Sequence, residues 1–290
     1  MPTGIDTHLW HSLDRWTRSL WRLVGRRLDL AGPHRWLAAP TTPAGGAGDD
    51  WLTVAAWRDL VQPPAPSDGL LADMAELDGP GFRADSLHPT VRDFYQHTSR
   101  WRLDVWSQWS PLFAPGGEII ARLFGRRVGQ LALPVQPLAV SRGMDSRIRI
   151  VRNAAGARSG AAWLRTLRMD GSAVFSGYYQ VGMVPLSDRP HVHVTFPLED
   201  GNVQVFLMPS VDPDGSLWLR SRPGPFGGDG AYVVAGSGGA WHAAKVPLHE
   251  SFHVFVDDEQ VLRTDHHLRV GRLRALTLHY RLSRLGTEPS

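Results

Sequence analysis

The sequence predicts an α+β protein that is mostly β, with N-terminal helices followed by a long antiparallel meander. Two observations support this fold class. The spacing of apolar residues changes from about 3.6 to about 2 near residue 100, and Asp-Gly turn signals then recur at 170–171, 200–201 and 214–215. Because a long meander must hide its edge strands, we expect a barrel-like (lipocalin-like) or strongly curved sheet.

The first element is a basic, Trp-rich segment over residues 1–40, whose leucines fall on one face of an amphipathic helix. Its six Arg and three Asp account for the whole net charge of +3 of the chain. Such a helix can bind an anionic membrane surface or a protein partner through residues 1–30. The residues that would make this contact are Trp10, Trp16, Trp21, Arg15, Arg22 and Arg26. The same helix can also pack on its own domain, which is the interpretation we favour.

The next two segments are a flexible linker and a group of short helices. Residues 41–50 are rich in Gly, Ala and Pro, as is typical of a linker. Residues 51–98 predict helices at 51–60, at 70–77 with Ser67 as N-cap, and at 88–97 with Pro89 in the first turn. We expect these helices and the β domain to form one globular unit over 51–290.

Residues 99–290 are predicted to form the antiparallel β domain. A first strand covers 100–109, and one short helix covers 118–124. The remaining segments alternate with period 2 between turn residues. These strands are predicted at 130–140, 145–153, 161–169, 172–182, 191–197, 202–209, 216–222, 230–235, 240–246, 252–257, 260–269 and 273–284.

Several short motifs resemble a known bacterial domain. They are Leu87-His88-Pro89-Thr90-Val91-Arg92, Ile120-Ala121-Arg122-Leu123-Phe124-Gly125, Trp163-Leu164-Arg165-Thr166-Leu167 and Phe175-Ser176-Gly177. Together they look like the uncharacterised C-terminal domain of YndJ-like proteins, over about residues 84–284. This resemblance implies a β-rich domain. Since that family has no assigned activity, it implies no site residue.

Composition limits the classes of function. Without cysteine, the chain has no disulfides, thiolate metal sites or cysteine nucleophile. The 250 residues after the basic segment are balanced in charge, so we expect no nucleic-acid partner. We find no secretory signal pattern and no membrane-spanning stretch. The sequence therefore predicts a cytoplasmic protein, with peripheral membrane association as an alternative, and we expect no cofactor.

The segment His249-Glu250-Ser251-Phe252-His253 matches the H-E-x-x-H pattern of zinc proteases. That chemistry needs both histidines on one helical turn. Here the alternation after Phe252 predicts a strand, on which His249 and His253 would be about 13 Å apart, too far to share one ion. We therefore expect no metal site, and we keep this set only as an alternative.

Two kinds of interior site remain open. An aromatic-lined curved sheet would bind a hydrophobic small molecule or lipid, and the residues we select for it are Trp106, Trp163, Tyr178, Tyr179 and Phe226. The alternative is a cofactor-free isomerase or cyclase on the same scaffold, with Tyr178, His193 and Arg149 as candidate catalytic groups. His191 and His193 share one face of their strand, and we expect this pair to face solvent.

Overall fold

The computed structural model describes residues 24–43, 49–56, 60–110, 144–168, 171, 173–237 and 239–286. Four predicted elements lie wholly or largely outside these residues: the first 23 residues of the basic segment, most of the linker, the helix at 118–124 and the strand at 130–140.

Thirteen β-strands form about half of the described chain, and two short α-helices accompany them. The helices are α1 (Asp50–Ala56) and α2 (Pro89–Gln96). Four 3-10 turns cover Arg35–Leu37, Met74–Leu77, Ala84–Ser86 and Thr98–Arg100. The strands are β1 (Arg26–Leu28), β2 (Trp101–Trp109), β3 (Met144–Arg152), β4 (Arg158–Leu167), β5 (Ala173–Gly182), β6 (His191–Leu198), β7 (Gly201–Val211), β8 (Leu217–Arg220), β9 (Gly230–Ser237), β10 (Ala240–Val246), β11 (Leu248–Val256), β12 (Leu262–Val270) and β13 (Leu273–Arg284).

The strands form one antiparallel sheet that nearly closes into a barrel. Its main path runs β2, β13, β12, β11, β8, β7, β6, β5, β4, β3, and its two end strands, β2 and β3, approach each other. The predicted fold class, mostly β with a barrel-like antiparallel sheet, is therefore confirmed. Near-closure leaves few exposed strand edges, which is the physical reason for expecting it.

Strand β7 has two partners on the same edge, and this splits the sheet. Its first half, Gly201 to Phe206, pairs with β9, whereas Met208 to Val211 pairs with β8. Strand β9 continues to β10 and β10 to β1, so these three strands form a side branch beside the barrel.

The barrel interior is filled by the inward-facing half of each strand. On β6, Val192, Val194 and Phe196 belong to the main core, and His191 and His193 alternate with them and face outward. The same period-2 alternation places Leu276 and Leu278 of β13 inside, both 1% exposed.

Helical segments close one end of the barrel. Phe94 of α2 and the preceding Leu77 join the main core. His88 caps α2 by accepting a hydrogen bond from the Thr90 amide, and its own amide donates to the Gly215 carbonyl in the β7–β8 turn. Gly215 has φ +83°, and a Cβ there would lie 2.6 Å from the His88 nitrogen, so this contact requires glycine.

Two layers cover parts of the outer face of the sheet. Residues around Leu28 and Leu37 pack with Phe206 and Tyr232 on the side of β7, β9 and β10. Helix α1 packs through Trp51 on the outer face of β3, β4 and β5.

The N-terminal elements differ from the sequence prediction in two places. Arg26–Leu28 is a strand, although the helical spacing continues to Leu28, because these residues pair with the edge of β10. The segment 70–77, which is predicted to be a helix, contains a shorter 3-10 helix from Met74 to Leu77. This helix begins at Met74 because Asp73 and Glu76 form a capping box there.

Candidate functional site

We give the name interior cluster to five polar side chains that face the inside of the barrel: Arg165 of β4, Tyr179 of β5, Glu250 of β11, His266 of β12 and Tyr280 of β13. Burial among core side chains and mutual electrostatic effects identify them as neighbours. The cluster joins strands that are distant in sequence.

Strand alternation explains why Arg165 faces inward. Ala162 and Leu164 pack on the outer face beneath α1, so Trp163 and Arg165 must point to the interior. Arg165 is 8% exposed, and its guanidinium carbon lies 4.6 Å from the Trp163 ring, 4.4 Å from the Phe175 ring and 5.8 Å from the Tyr280 ring. Three aromatic rings therefore surround the positive charge.

No anion accompanies this charge. Among the described residues, Arg165 has no ion-pair partner, and its Nε has no hydrogen-bond acceptor. A buried cation without a partner anion is costly, and cation–π contacts offset this cost only in part.

The two tyrosines remain protonated. Burial raises the pKa of both Tyr179 and Tyr280, and the Arg165 charge opposes the shift at each. The nearby Glu250 carboxylate adds to the increase in both. At neutral pH both side chains therefore act as hydroxyl donors and not as bases.

Glu250 and His266 form a pair on adjacent strands. Glu250 Oε2 lies 3.5 Å from His266 Nε2, and the His266 ring stacks on Phe252 at 3.8 Å between centroids. The Glu250 amide donates to Ser221 Oγ at 2.7 Å, which fixes the backbone at this point. The Glu250 carboxylate thus lies beside the His266 ring.

The two ends of the interior differ in accessibility. Near α2 the core is closed, as Val91 and Leu217 show with 0% exposure. Around the cluster, the inward-facing Phe175, Phe252 and Leu248 are only half-buried. Solvent therefore reaches the aromatic residues at the end away from α2.

The structure separates the residues selected from the sequence for ligand binding. Trp163 and Tyr179 meet inside the barrel, with ring centroids 5.7 Å apart. Tyr178 faces outward against Trp51, and Trp106 lies on the outside with 56% exposure. Phe226 also lies outside, where it packs in the layer that covers β7 and β9.

The three candidate catalytic residues are not brought together. Tyr178 packs under α1, and Arg149 Nε donates to the Gln62 carbonyl at 3.0 Å. His193 lies under the N-terminal layer and bonds to Gln180 at 2.9 Å through Nδ1 and to Gln204 at 2.8 Å through Nε2. Burial lowers its pKa to about 3.

The expectation that the histidine pair of β6 faces solvent is wrong. His191 and His193 are 0% and 1% exposed. His193 is covered by the N-terminal segment, because its partner Gln204 donates to the Leu37 carbonyl at 2.8 Å. His191 instead lies near Arg189 and Asp229, in the segments that follow β5 and β8. Alternation correctly places both histidines on one face, but it does not show what covers that face.

The H-E-x-x-H segment lies on β11, so its side chains alternate between the two faces. His253 stacks on Trp218 outside the barrel, at 4.0 Å between ring centroids, whereas Glu250 belongs to the interior cluster. In the part of the chain that the structure describes, no group of three or more His, Asp or Glu residues is arranged to hold a metal ion.

Of the residues proposed for membrane or partner binding, Arg26 alone lies in the described part of the chain. It belongs to β1, and its guanidinium carbon lies 4.7 Å from the Phe226 ring. Trp10, Arg15, Trp16, Trp21 and Arg22 lie outside the described residues.

A recess of about 570 Å³ lies on the outer surface, beside the turns that follow β5 and β8. Its two arginines already have partners: Arg189 donates to the Pro209 carbonyl, and Arg222 pairs with Asp229. These contacts distinguish it from the interior cluster, where Arg165 has no ion-pair partner among the described residues.

Sequence reasoning missed Arg165, His266 and Tyr280, and it considered Glu250 only as part of a metal motif. The available signal was Arg165 between Leu164 and Thr166 in a largely apolar strand, where a charge stands out. The other four residues of the cluster lie on four other strands, and barrel closure brings them near Arg165. No local sequence pattern shows this closure.

The fold and the interior cluster define a β-barrel-like protein with a polar group of side chains inside the barrel. The chain resembles YndJ-like proteins: it is 26% identical over 219 residues to the uncharacterized membrane protein YndJ of Bacillus subtilis (strain 168). The match covers 75% of this chain and 38% of that protein. The resemblance predicted from the sequence motifs is thus confirmed. No family model and no solved structure matches the chain.

This comparison corrects the predicted location. The sequence predicts a cytoplasmic protein, and that prediction is contradicted because the relative is named as a membrane protein. None of the helices in the described part of the chain has the length and hydrophobicity needed to cross a bilayer.

Proposed function

We propose that the barrel binds a hydrophobic small molecule or lipid in its interior, at the end away from α2. The observation that carries this proposal is the partial exposure of the inward-facing aromatic side chains Phe175 and Phe252, while the opposite end of the core is closed. An apolar ligand would cover this surface and gain roughly 25 cal/mol for each Å² removed from water.

Binding of the neutral fluorescent dye Nile red tests the proposal. Strand β11 offers a matched pair of variants, since Phe252 faces the interior and Phe255 is likewise half-buried but faces outward. We expect wild type and Phe255→Arg to bind the dye with similar affinity. Phe252→Arg should bind at least about tenfold more weakly, because it places a charge in the apolar site.

The two variants are first compared with wild type by circular dichroism and thermal unfolding. Wild-type protein that does not bind Nile red would refute the proposal. An equal loss of binding in both variants would show that the dye does not bind the interior. Native mass spectrometry of the protein from its source host would then identify any retained ligand.

A second candidate function is a cofactor-free isomerase or cyclase, and the Glu250–His266 pair favours it. An imidazole beside a carboxylate can accept a proton from a bound molecule and return it elsewhere, while protonated Tyr179 and Tyr280 donate hydrogen bonds to a developing oxyanion. The test is incubation of the retained ligand in D₂O. A new product or deuterium incorporation that is lost in His266→Gln supports catalysis, and an unchanged, undeuterated ligand refutes it.

A further inference from the structure

Arg165 is a buried side chain of the interior cluster with one hydrogen-bond donor, Nε, that is not used among the described residues. Its side chain is more than nine-tenths buried, three aromatic rings surround it, and Nε has no acceptor among the described residues. Buried charges in folded proteins are normally paired with an opposite charge. The site therefore lacks an anion at a defined position.

Glu250 does not supply that anion. It is near enough to raise the pKa of Tyr179 and Tyr280, yet its own ion-pair contact is with His266 at 3.5 Å. Among the described residues, no carboxylate therefore lies within ion-pair distance of the Arg165 guanidinium.

The number and type of donors around Arg165 limit the anion that fits. One guanidinium neutralises one negative charge, and its planar fork matches the two oxygens of a carboxylate. The protonated hydroxyls of Tyr179 and Tyr280 add donors to the same region. A phosphate monoester carries about −1.5 to −2 charges at neutral pH and would remain only partly neutralised.

We infer that the ligand of the barrel is an amphiphile with a carboxylate head group, which pairs with Arg165, and an apolar tail, which packs on Trp163, Phe175 and Phe252. This inference rests on the proposed function, since it specifies the ligand class of the same site. In this arrangement Arg165 determines which head group binds. The aromatic surface binds the apolar tail without distinguishing one tail from another.

Displacement of Nile red by three twelve-carbon competitors tests the inference: dodecanoate, dodecan-1-ol and dodecyl phosphate. We expect wild type to bind dodecanoate at least about tenfold more tightly than the alcohol, as a charge-assisted hydrogen-bonded pair provides. In Arg165→Met this preference should fall below about twofold when each competitor is compared with that variant's own Nile red affinity. The matched control is Arg147→Met, which makes the same substitution at an exposed site on neighbouring β3.

A second measurement keeps the inference testable if Arg165→Met does not fold. In wild type, the ¹³C-carboxyl resonance of labelled dodecanoate should show a pKa below that of the free acid in solution, because the adjacent guanidinium favours the anion. A bound pKa at or above the free value would overturn the inference.

The remaining outcomes separate the two proposals. Nile red binding with no preference for dodecanoate over the alcohol overturns the carboxylate inference and leaves the binding function intact. Tighter binding of dodecyl phosphate than of dodecanoate also overturns it. An absence of Nile red binding refutes the proposed function itself. A preference retained in Arg165→Met would show that another group selects the head group.

Discussion

Acidification should destabilise this protein through His193, and the structure gives the sign and size of the effect. Burial lowers the folded-state pKa of His193 from 6.5 to about 3, whereas the unfolded chain keeps the ordinary value. Between these two pH values the unfolded state binds a proton that the folded state does not. The stability contributed by neutral His193 is therefore fully present above about pH 6.5 and is lost as the pH falls towards 3, at roughly 1 kcal/mol per pH unit.

The perturbation that isolates this effect is His193→Gln, which removes the titrating group. At pH 7 the variant should be less stable than wild type by about 1–3 kcal/mol, because Gln204 Oε1 loses its bond from His193. Since only wild type loses stability through His193 on acidification, this difference should shrink by roughly 1 kcal/mol for each pH unit below 6.5.

The assay is urea unfolding followed by circular dichroism at several pH values between about 7 and 4. Leu273→Ala, at an exposed position of β13, removes no titrating group, serves as the control and should leave the pH slope unchanged. Some slope will remain in His193→Gln because burial also lowers the pKa of the neighbouring His191. A stability difference between wild type and His193→Gln that stays constant over this pH range would refute the reasoning.

Two further predictions concern the turn and the core. Gly215→Ala should cost more than 1 kcal/mol of unfolding free energy, since the new Cβ would lie 2.6 Å from the His88 nitrogen at φ +83°; Gly271→Ala, also at positive φ but with nothing within 4 Å, should cost about 1 kcal/mol or less. Leu278→Ala, at a position 1% exposed on β13, should cost about 2–5 kcal/mol; Leu273→Ala, 53% exposed on the same strand, should stay within about 0.5 kcal/mol. Urea unfolding measures all four, and equal effects within either pair would contradict the assigned environments.

Local patterns predict most of the sheet because strands and turns are coded over few residues. The prediction of a strand at 240–246 coincides with β10, and that at 273–284 coincides with β13. The H-E-x-x-H segment is also on a strand, as the alternation after Phe252 indicates. These features depend on side-chain period and turn chemistry, both of which are visible in the sequence.

Local patterns do not show which distant segments of the chain pack on the edges and the outer face of the sheet. Arg26–Leu28 forms a strand in spite of its helical pattern because it pairs with the edge of β10, where Arg26 lies opposite Ala243, 217 residues away along the chain. Likewise, His193 looks like a solvent-facing residue until the N-terminal segment is placed over it. For the same reason, the face of β4 that carries Arg165 cannot be assigned from sequence, since the opposite face, with Ala162 and Leu164, is also apolar and covered.

The contrast between two buried polar groups indicates where a ligand belongs. His193 is neutral at physiological pH and has acceptor and donor partners on both ring nitrogens, so its network is complete within the protein and needs no further molecule. Arg165 is charged, and its Nε has no partner among the described residues. Because a satisfied network stabilises the fold and an unpaired charge destabilises it, a ligand in the interior would gain more from pairing with Arg165 than with His193. We therefore expect the anionic group of a ligand beside Arg165 and its three aromatic rings, and not beside His193.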